Sequence, residues 1–115
     1  MHTKSVNITD MALETKINID GNAAQVSLSG YLDTEAAPSL QKELIPVCEK
    51  EEINEIVIDM SEMPYIASAG LRVLLTAYKI VNAKGGTVEV TNLQDSVSKV
   101  LTITGLNKIL QVKSK

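Results

Sequence analysis

The residues best placed to do chemistry in this 115-residue chain cluster around one serine, Ser68, in the run Tyr65-Ile66-Ala67-Ser68-Ala69-Gly70-Leu71-Arg72-Val73-Leu74-Leu75. A serine between an apolar strand end and an amphipathic helix can act as a nucleophile, cap the helix or accept a modification. Nucleophilic attack needs a base beside the hydroxyl. The one histidine, His2, lies in the unpatterned first dozen residues, and Ile66-Ala67-Ser68-Ala69-Gly70 lacks the first glycine of a G-x-S-x-G elbow. No group of His, Cys and carboxylate residues has metal-ligand spacing, and Gly85-Gly86 follows a helix instead of opening one. The expectation is therefore a protein that is not an enzyme and holds no cofactor and no metal.

Ser68 as a substrate is a different matter. A helix N-terminus offers unpaired N–H groups and partial positive charge, so a phosphate on a serine there is stabilised. Arg72 lies one turn on, at i+4, and can share that charge. A phosphate adds about −1.5 to −2 charges, which is substantial beside a formal net charge of −3. Buried unpaired at a protein interface, such a charge costs on the order of 2–5 kcal/mol, or tens to thousands of fold in affinity. That is the behaviour of a binding switch. The plainer reading is that Ser68 is the N-cap of its helix. Asp33 and Asp59 likewise read first as caps or turn residues, Cys48 as core, and Met60 and Met63 as packing. Arg72, Thr76 and Lys79 form a solvated stripe that doubles as a candidate partner surface.

The elements that must position Ser68 are legible from periodicity. Leu13, Ile17 and Ile19, then Ala24, Val26 and Leu28, alternate on either side of Asp20-Gly21-Asn22, which predicts a β-hairpin. Gly30 to Thr34 leads into a helix capped by Asp33 or Thr34, with Ala36, Ala37, Leu40, Leu44, Val47 and Cys48 on its apolar face. Pro46 predicts a kink or early end, because its ring clashes with the carbonyl four residues back. Glu49 to Glu52 reads as a solvated loop. Ile56-Val57-Ile58 predicts a central strand buried on both faces and ending at Asp59-Met60-Ser61. Leu71, Leu74, Leu75, Tyr78 and Val81 define a second helix that stops at Lys84-Gly85-Gly86. Thr87 to Val90 predicts a strand, Leu93, Val97, Val100 and Leu101 a helix capped near Asn92 or Asp95 and stopped by Gly105, and Ile109 to Val112 an edge strand. The sum is an α/β mixed sheet of four to five strands with helices against it, joined by right-handed crossovers.

Composition sets bounds on partners and compartment. The length suits one domain, preceded by a flexible segment over residues 1–12, and the core must be aliphatic because Phe and Trp are absent. Interleaved charges offer no concentrated basic face, so nucleic acid is not an expected partner. One cysteine allows no internal disulfide, and neither a signal peptide nor an apolar run of spanning length is present. A cytoplasmic protein with no direct membrane insertion is expected.

Three segments resemble the STAS domain of anti-sigma factor antagonists: Gly30-Tyr31-Leu32-Asp33-Thr34, Ile56-Val57-Ile58-Asp59-Met60-Ser61, and Tyr65 to Leu75. The similarity extends to Asn92 and Thr104-Gly105-Leu106, covering residues 13–115. The resemblance implies a STAS-like fold and a protein that binds an anti-sigma factor serine kinase, freeing a sigma factor. It further implies that the kinase phosphorylates Ser68 to release the complex and that a PP2C-type phosphatase reverses the mark. The implied partner surface comprises Leu32, Asp33, Thr34, Asp59, Tyr65, Ala67, Ser68, Ala69 and Arg72. Regulated members commonly read Asp-Ser-Ser/Thr-Gly, whereas this chain has Ala67 before Ser68 and Ala69 after it, which leaves Ser68 the one acceptor in the motif. The same resemblance allows a second reading, a constitutive STAS subunit docked on a partner such as a lipid-transport ATPase. A nucleotide-binding sensor would require a phosphate-cradling glycine pattern, which the chain lacks.

Overall fold

A computed structural model describes residues 12–113. The expected flexible segment, Ala12 apart, and His2 lie outside the described residues. Five strands form one mixed sheet in sequential order: β1 (Glu14–Asp20), β2 (Ala23–Leu32), β3 (Glu55–Ile66), β4 (Thr87–Thr91) and β5 (Gln111–Lys113). Only β1 and β2 are antiparallel, joined by the two-residue turn Gly21-Asn22, where Gly21 takes φ +65°. Helices α1 (Ala37–Cys48), α2 (Ser68–Ala83) and α3 (Asp95–Thr104) make the parallel crossovers, and a single 3-10 turn (Leu106–Lys108) precedes β5. The α/β mixed sheet read from the sequence is the one observed.

The core lies on one face of the sheet. Ala24 pairs with Ile56 and Ile56 with Val88, while Val26 pairs with Ile58 and Ile58 with Val90, and all of these are buried. The intervening residues Gln25 and Ser27 are exposed, and Val57, Asp59, Glu89 and Thr91 half-buried. This corrects the expectation that β3 is buried on both faces. Each crossover advances one strand in the same direction, so right-handed connections place every helix on the same side and leave the other side open. Ile56-Val57-Ile58 reads as a continuous apolar run because Val57 sits on the open face.

β3 is also longer than expected, running on past Asp59-Met60-Ser61 to Ile66. Its pairing with β4 ends at Asp59, but its pairing with β2 continues through two irregularities, Ser27↔Asp59, Ser29↔Glu62 and Tyr31↔Tyr65. In each, three residues of β3 span two of β2, the signature of a bulge. Met60 and Met63 remain fully buried across them. Pro64 is tolerated because this stretch has a strand neighbour on one side only. On the side β4 has left, the opening of α3 takes over: Gln94 Nε2 donates to the Ser61 carbonyl at 2.9 Å and Ser96 Oγ to the Pro64 carbonyl at 2.6 Å.

Pro46 does not end α1, which continues to Cys48. Two residues from the C-terminus the proline deprives only the Lys42 carbonyl of its i+4 donor, so the loss is confined to the last turn. Below it, Lys84 Nζ donates to the carbonyls of Cys48, Lys50 and Ile53 at 2.7, 2.7 and 2.6 Å. That ammonium closes the α1 C-terminus and its exposed acidic loop against the end of α2. The α2 terminus is a Schellman motif: Gly85 N–H donates to Asn82 O and Gly86 N–H to Val81 O, both at 2.9 Å, with Gly85 at φ +80°. Cys48 is fully buried, and burial pushes its thiol pKa up to about 11. Among the described residues, no helix is long and apolar enough to cross a membrane.

Candidate functional site

The turn from β3 into α2 is held to the end of β2. Leu32 pairs with Ile66, and the Ala67 N–H donates to the Leu32 carbonyl at 2.8 Å. Ala67 is extended (φ −98°, ψ 170°), and its own carbonyl accepts the first helical bond, from Leu71 N–H at 3.1 Å. Ala67 is therefore the N-cap, and Ser68 is the first helical residue. This corrects the reading of Ser68 as cap: no side chain caps α2, and the Ser68 side chain is exposed. The main chain fixes the start one residue early because the last β2–β3 contact is made by Ala67, not by Ser68.

Gly70 lets the helix come down onto this anchor. A β-carbon there would meet Leu32 Cγ at 2.5 Å and Cδ2 at 2.9 Å, with Ile66 Cγ1 at 3.2 Å. Leu32 is itself fully buried, so it supports the turn from beneath and presents no surface of its own. Asp33 shapes the neighbouring loop: its Oδ1 accepts the Ala36 N–H at 2.8 Å, and its carbonyl accepts the N–H groups of Ala36 and Ala37. Thr34 is exposed in the same loop. This corrects the expectation of a cap by Asp33 or Thr34: the N-cap of α1 is Ala36, no side chain caps the helix, and Asp33 holds the turn that precedes it.

Around Ser68 the exposed surface consists of Tyr65, 48% exposed, with Ala67 and Ala69 half-buried and Arg72 exposed one turn along. The Tyr65 ring lies 5.7 Å from that of Tyr31, tilted by 51°. The N–H groups of Ser68, Ala69 and Gly70 have no acceptor within the helix. No acidic residue occupies the first turn of α2, so its positive end is left uncompensated by the chain. Chemically the site offers an accessible hydroxyl, unpaired donors, a guanidinium and an aromatic edge. It suits the reception of an anion or a partner surface.

Asp59 is not brought to this turn. It faces the open side of the sheet in a separate depression with Lys16, Ser27 and Glu62. Its Oδ1 accepts the Ser61 N–H at 3.0 Å and Asn92 Nδ2 at 3.2 Å. The Ser61 amide, followed by the Asn92 amide, holds its carboxyl below the usual range against the opposing effect of burial. Asn92 does not cap α3, which begins at Asp95 after Gln94; it adopts φ +58° and turns its amide to Asp59.

One feature escaped the periodicity argument. The wall of α1 carrying Gln41, Lys42 and Pro46 faces Ala69, Arg72 and Thr76 of α2 across a cavity of about 650 Å³. The out-of-pattern Pro46 was the one signal on that wall.

The fold is a mixed sheet backed on one face by three helices, with an exposed serine at the first position of the central crossover helix. The family model of the STAS domain matches residues 14–115, and the chain belongs to the STAS domain family. It is 29% identical over 105 residues to the anti-sigma-B factor antagonist of Bacillus subtilis, covering 91% of this chain and 94% of that protein. The crystal structure of an anti-sigma factor antagonist from Mycobacterium paratuberculosis is similar at a TM-score of 0.78 and 25% identity, covering 88% of this chain and 85% of that one. The Bacillus cell fate determinant SpoIIAA in its phosphorylated form shares the fold at a TM-score of 0.70 and 16% identity, covering 90% and 93%.

Proposed function

We propose that this protein is an anti-sigma factor antagonist that binds an anti-sigma factor serine kinase while Ser68 is unmodified and leaves it once Ser68 is phosphorylated. The observation that carries the reading is the placement of Ser68: exposed, first in its helix, and free of any capping bond. A capping hydroxyl would have to give up a structural bond on modification, whereas this one does not. The phosphate would then lie over the unpaired N–H groups of α2 with Arg72 at i+4. The relatives support the same role, being named antagonists of anti-sigma factors. SpoIIAA, which shares the fold, exists in a phosphorylated form.

In this reading Tyr65, Ala67, Ala69, Arg72 and Thr34 meet the kinase, Asp33 shapes the loop beside them, and a PP2C-type phosphatase restores the binding form. The test is incubation of the protein with its cognate kinase and ATP, followed by peptide mapping and titration of the complex. Phosphate is expected on Ser68, and Ser68→Asp is expected to weaken the complex by roughly tens to thousands of fold. Absence of phosphate from Ser68, or wild-type affinity in Ser68→Asp, refutes the proposal.

A further inference from the structure

The cavity between α1 and α2 opens beside Ser68 and has a one-sided chemistry. None of its lining residues is acidic, two are cations (Lys42 and Arg72), and the opening turns of both helices, Ala37-Pro38 and Ala69, contribute to its wall. Helix N-termini add partial positive charge to that of the two side chains. Its floor is apolar, with Val73 buried and Ile45 and Ala69 half-buried. Pro46 gives one wall a further property. It cannot donate to the Lys42 carbonyl, which is left without its i+4 helical partner, and both residues line the cavity.

We infer that this groove receives a segment of the anti-sigma partner that carries carboxylates flanking one or two aliphatic side chains. Along α1 the lining runs from Ala37 to Pro46, roughly 14 Å at 1.5 Å per residue, enough for about two and a half turns of a docked helix or about four extended residues. Aliphatic side chains seat on Val73 and Ile45, carboxylates meet Lys42 and Arg72, and a donor from the segment satisfies the Lys42 carbonyl. The inference rests on the proposed function and adds the route by which the mark acts. A phosphate on Ser68 draws on the guanidinium of Arg72, the same group the docked carboxylate uses, so modification removes an anchor as well as introducing repulsion.

The experiment is a calorimetric titration of the purified cognate kinase with wild type and with Lys42→Glu, Thr76→Glu and Lys99→Glu, each checked for native circular dichroism. Lys42 and Thr76 line the groove and Lys99 lies on α3, away from it, all three exposed. The first two variants are expected to bind roughly 30-fold or more weakly, and Lys99→Glu within about threefold of wild type because exposed charges outside the contact contribute little. Undiminished binding by Lys42→Glu and Thr76→Glu, or equal losses in all three variants, overturns the docking groove while leaving the proposed function standing. A wild-type dimer in sedimentation that Lys42→Glu dissociates assigns the groove to a second copy and also overturns it. Failure of the wild type to bind the kinase at all overturns both.

Discussion

Replacing Gly70 by alanine sets two effects of opposite sign against each other at the foot of the Ser68 helix. In an exposed helix interior the change is favourable by about 0.8–1 kcal/mol, since alanine loses less backbone entropy. Here the new β-carbon would stand 2.5 Å from Leu32 Cγ and 2.9 Å from its Cδ2, and Leu32 is fully buried between the strand end and the helix. Either the leucine leaves its rotamer or the helix lifts, and overpacking of this kind costs typically about 1–3 kcal/mol. The net expectation is a loss of about 1 kcal/mol, seen as a fall in Tm of roughly 4–8 °C for a domain of this size. The assay is urea unfolding of wild type, Gly70→Ala, Leu32→Ala and the double variant. Leu32→Ala alone costs about 2–5 kcal/mol as a cavity, but it removes both clashing atoms and leaves only the milder contact with Ile66 Cγ1 at 3.2 Å. In that background Gly70→Ala turns neutral or stabilising, a coupling of about 1–3 kcal/mol. A Gly70→Ala protein more stable than wild type, or a coupling below about 0.5 kcal/mol, refutes the argument that glycine is there for close approach.

Other expectations follow from single contacts. Because Ser68 makes no capping bond, Ser68→Ala changes unfolding stability by no more than about 0.5 kcal/mol, whereas a loss of about 1 kcal/mol, the usual cost of deleting a cap, shows that the hydroxyl does cap. Lys84→Met removes the donor to three carbonyls and lowers stability by about 1–2 kcal/mol, discounted for exposure; an unchanged urea midpoint rules out the clamp. The Asp59 carboxyl, held low by the Ser61 and Asn92 amides, contributes stability that is complete above its unfolded pKa of about 3.9. That contribution fades as pH falls through the lower folded value. The stability gap between wild type and Asp59→Leu, followed by urea unfolding, is therefore expected to narrow below pH of about 4; a gap that is constant or widens on acidification contradicts the assigned hydrogen bonds.

Much of this architecture was legible because local chemistry and global fold agree along most of the chain. The hairpin followed from period-2 alternation around a glycine turn, and the ends of α2 and α3 from Gly85 and Gly105, both in left-handed geometry. The face of α1 followed from its three- and four-residue spacing, and Leu40, Leu44 and Cys48 are fully buried as that spacing requires. The departures have one character in common. Pro46 is locally a helix breaker, yet near a C-terminus it removes a single bond. Pro64 is locally a strand breaker, yet β3 passes through it where only β2 still pairs. Val57 is locally core, yet it points to the open face.

By itself the sequence determined that one serine stands at a strand-to-helix turn with a cation one turn away, because helix periodicity depends on residue type and spacing alone. Only the tertiary structure decided what that serine is free to do. The contact of Ala67 N–H with the Leu32 carbonyl joins residues 35 positions apart and sets the helix start, which takes the cap from Ser68 and leaves its hydroxyl unengaged. The groove beside it likewise belongs to neither helix, since Lys42 and Arg72 face a common space only after α1 and α2 have packed over the same sheet face.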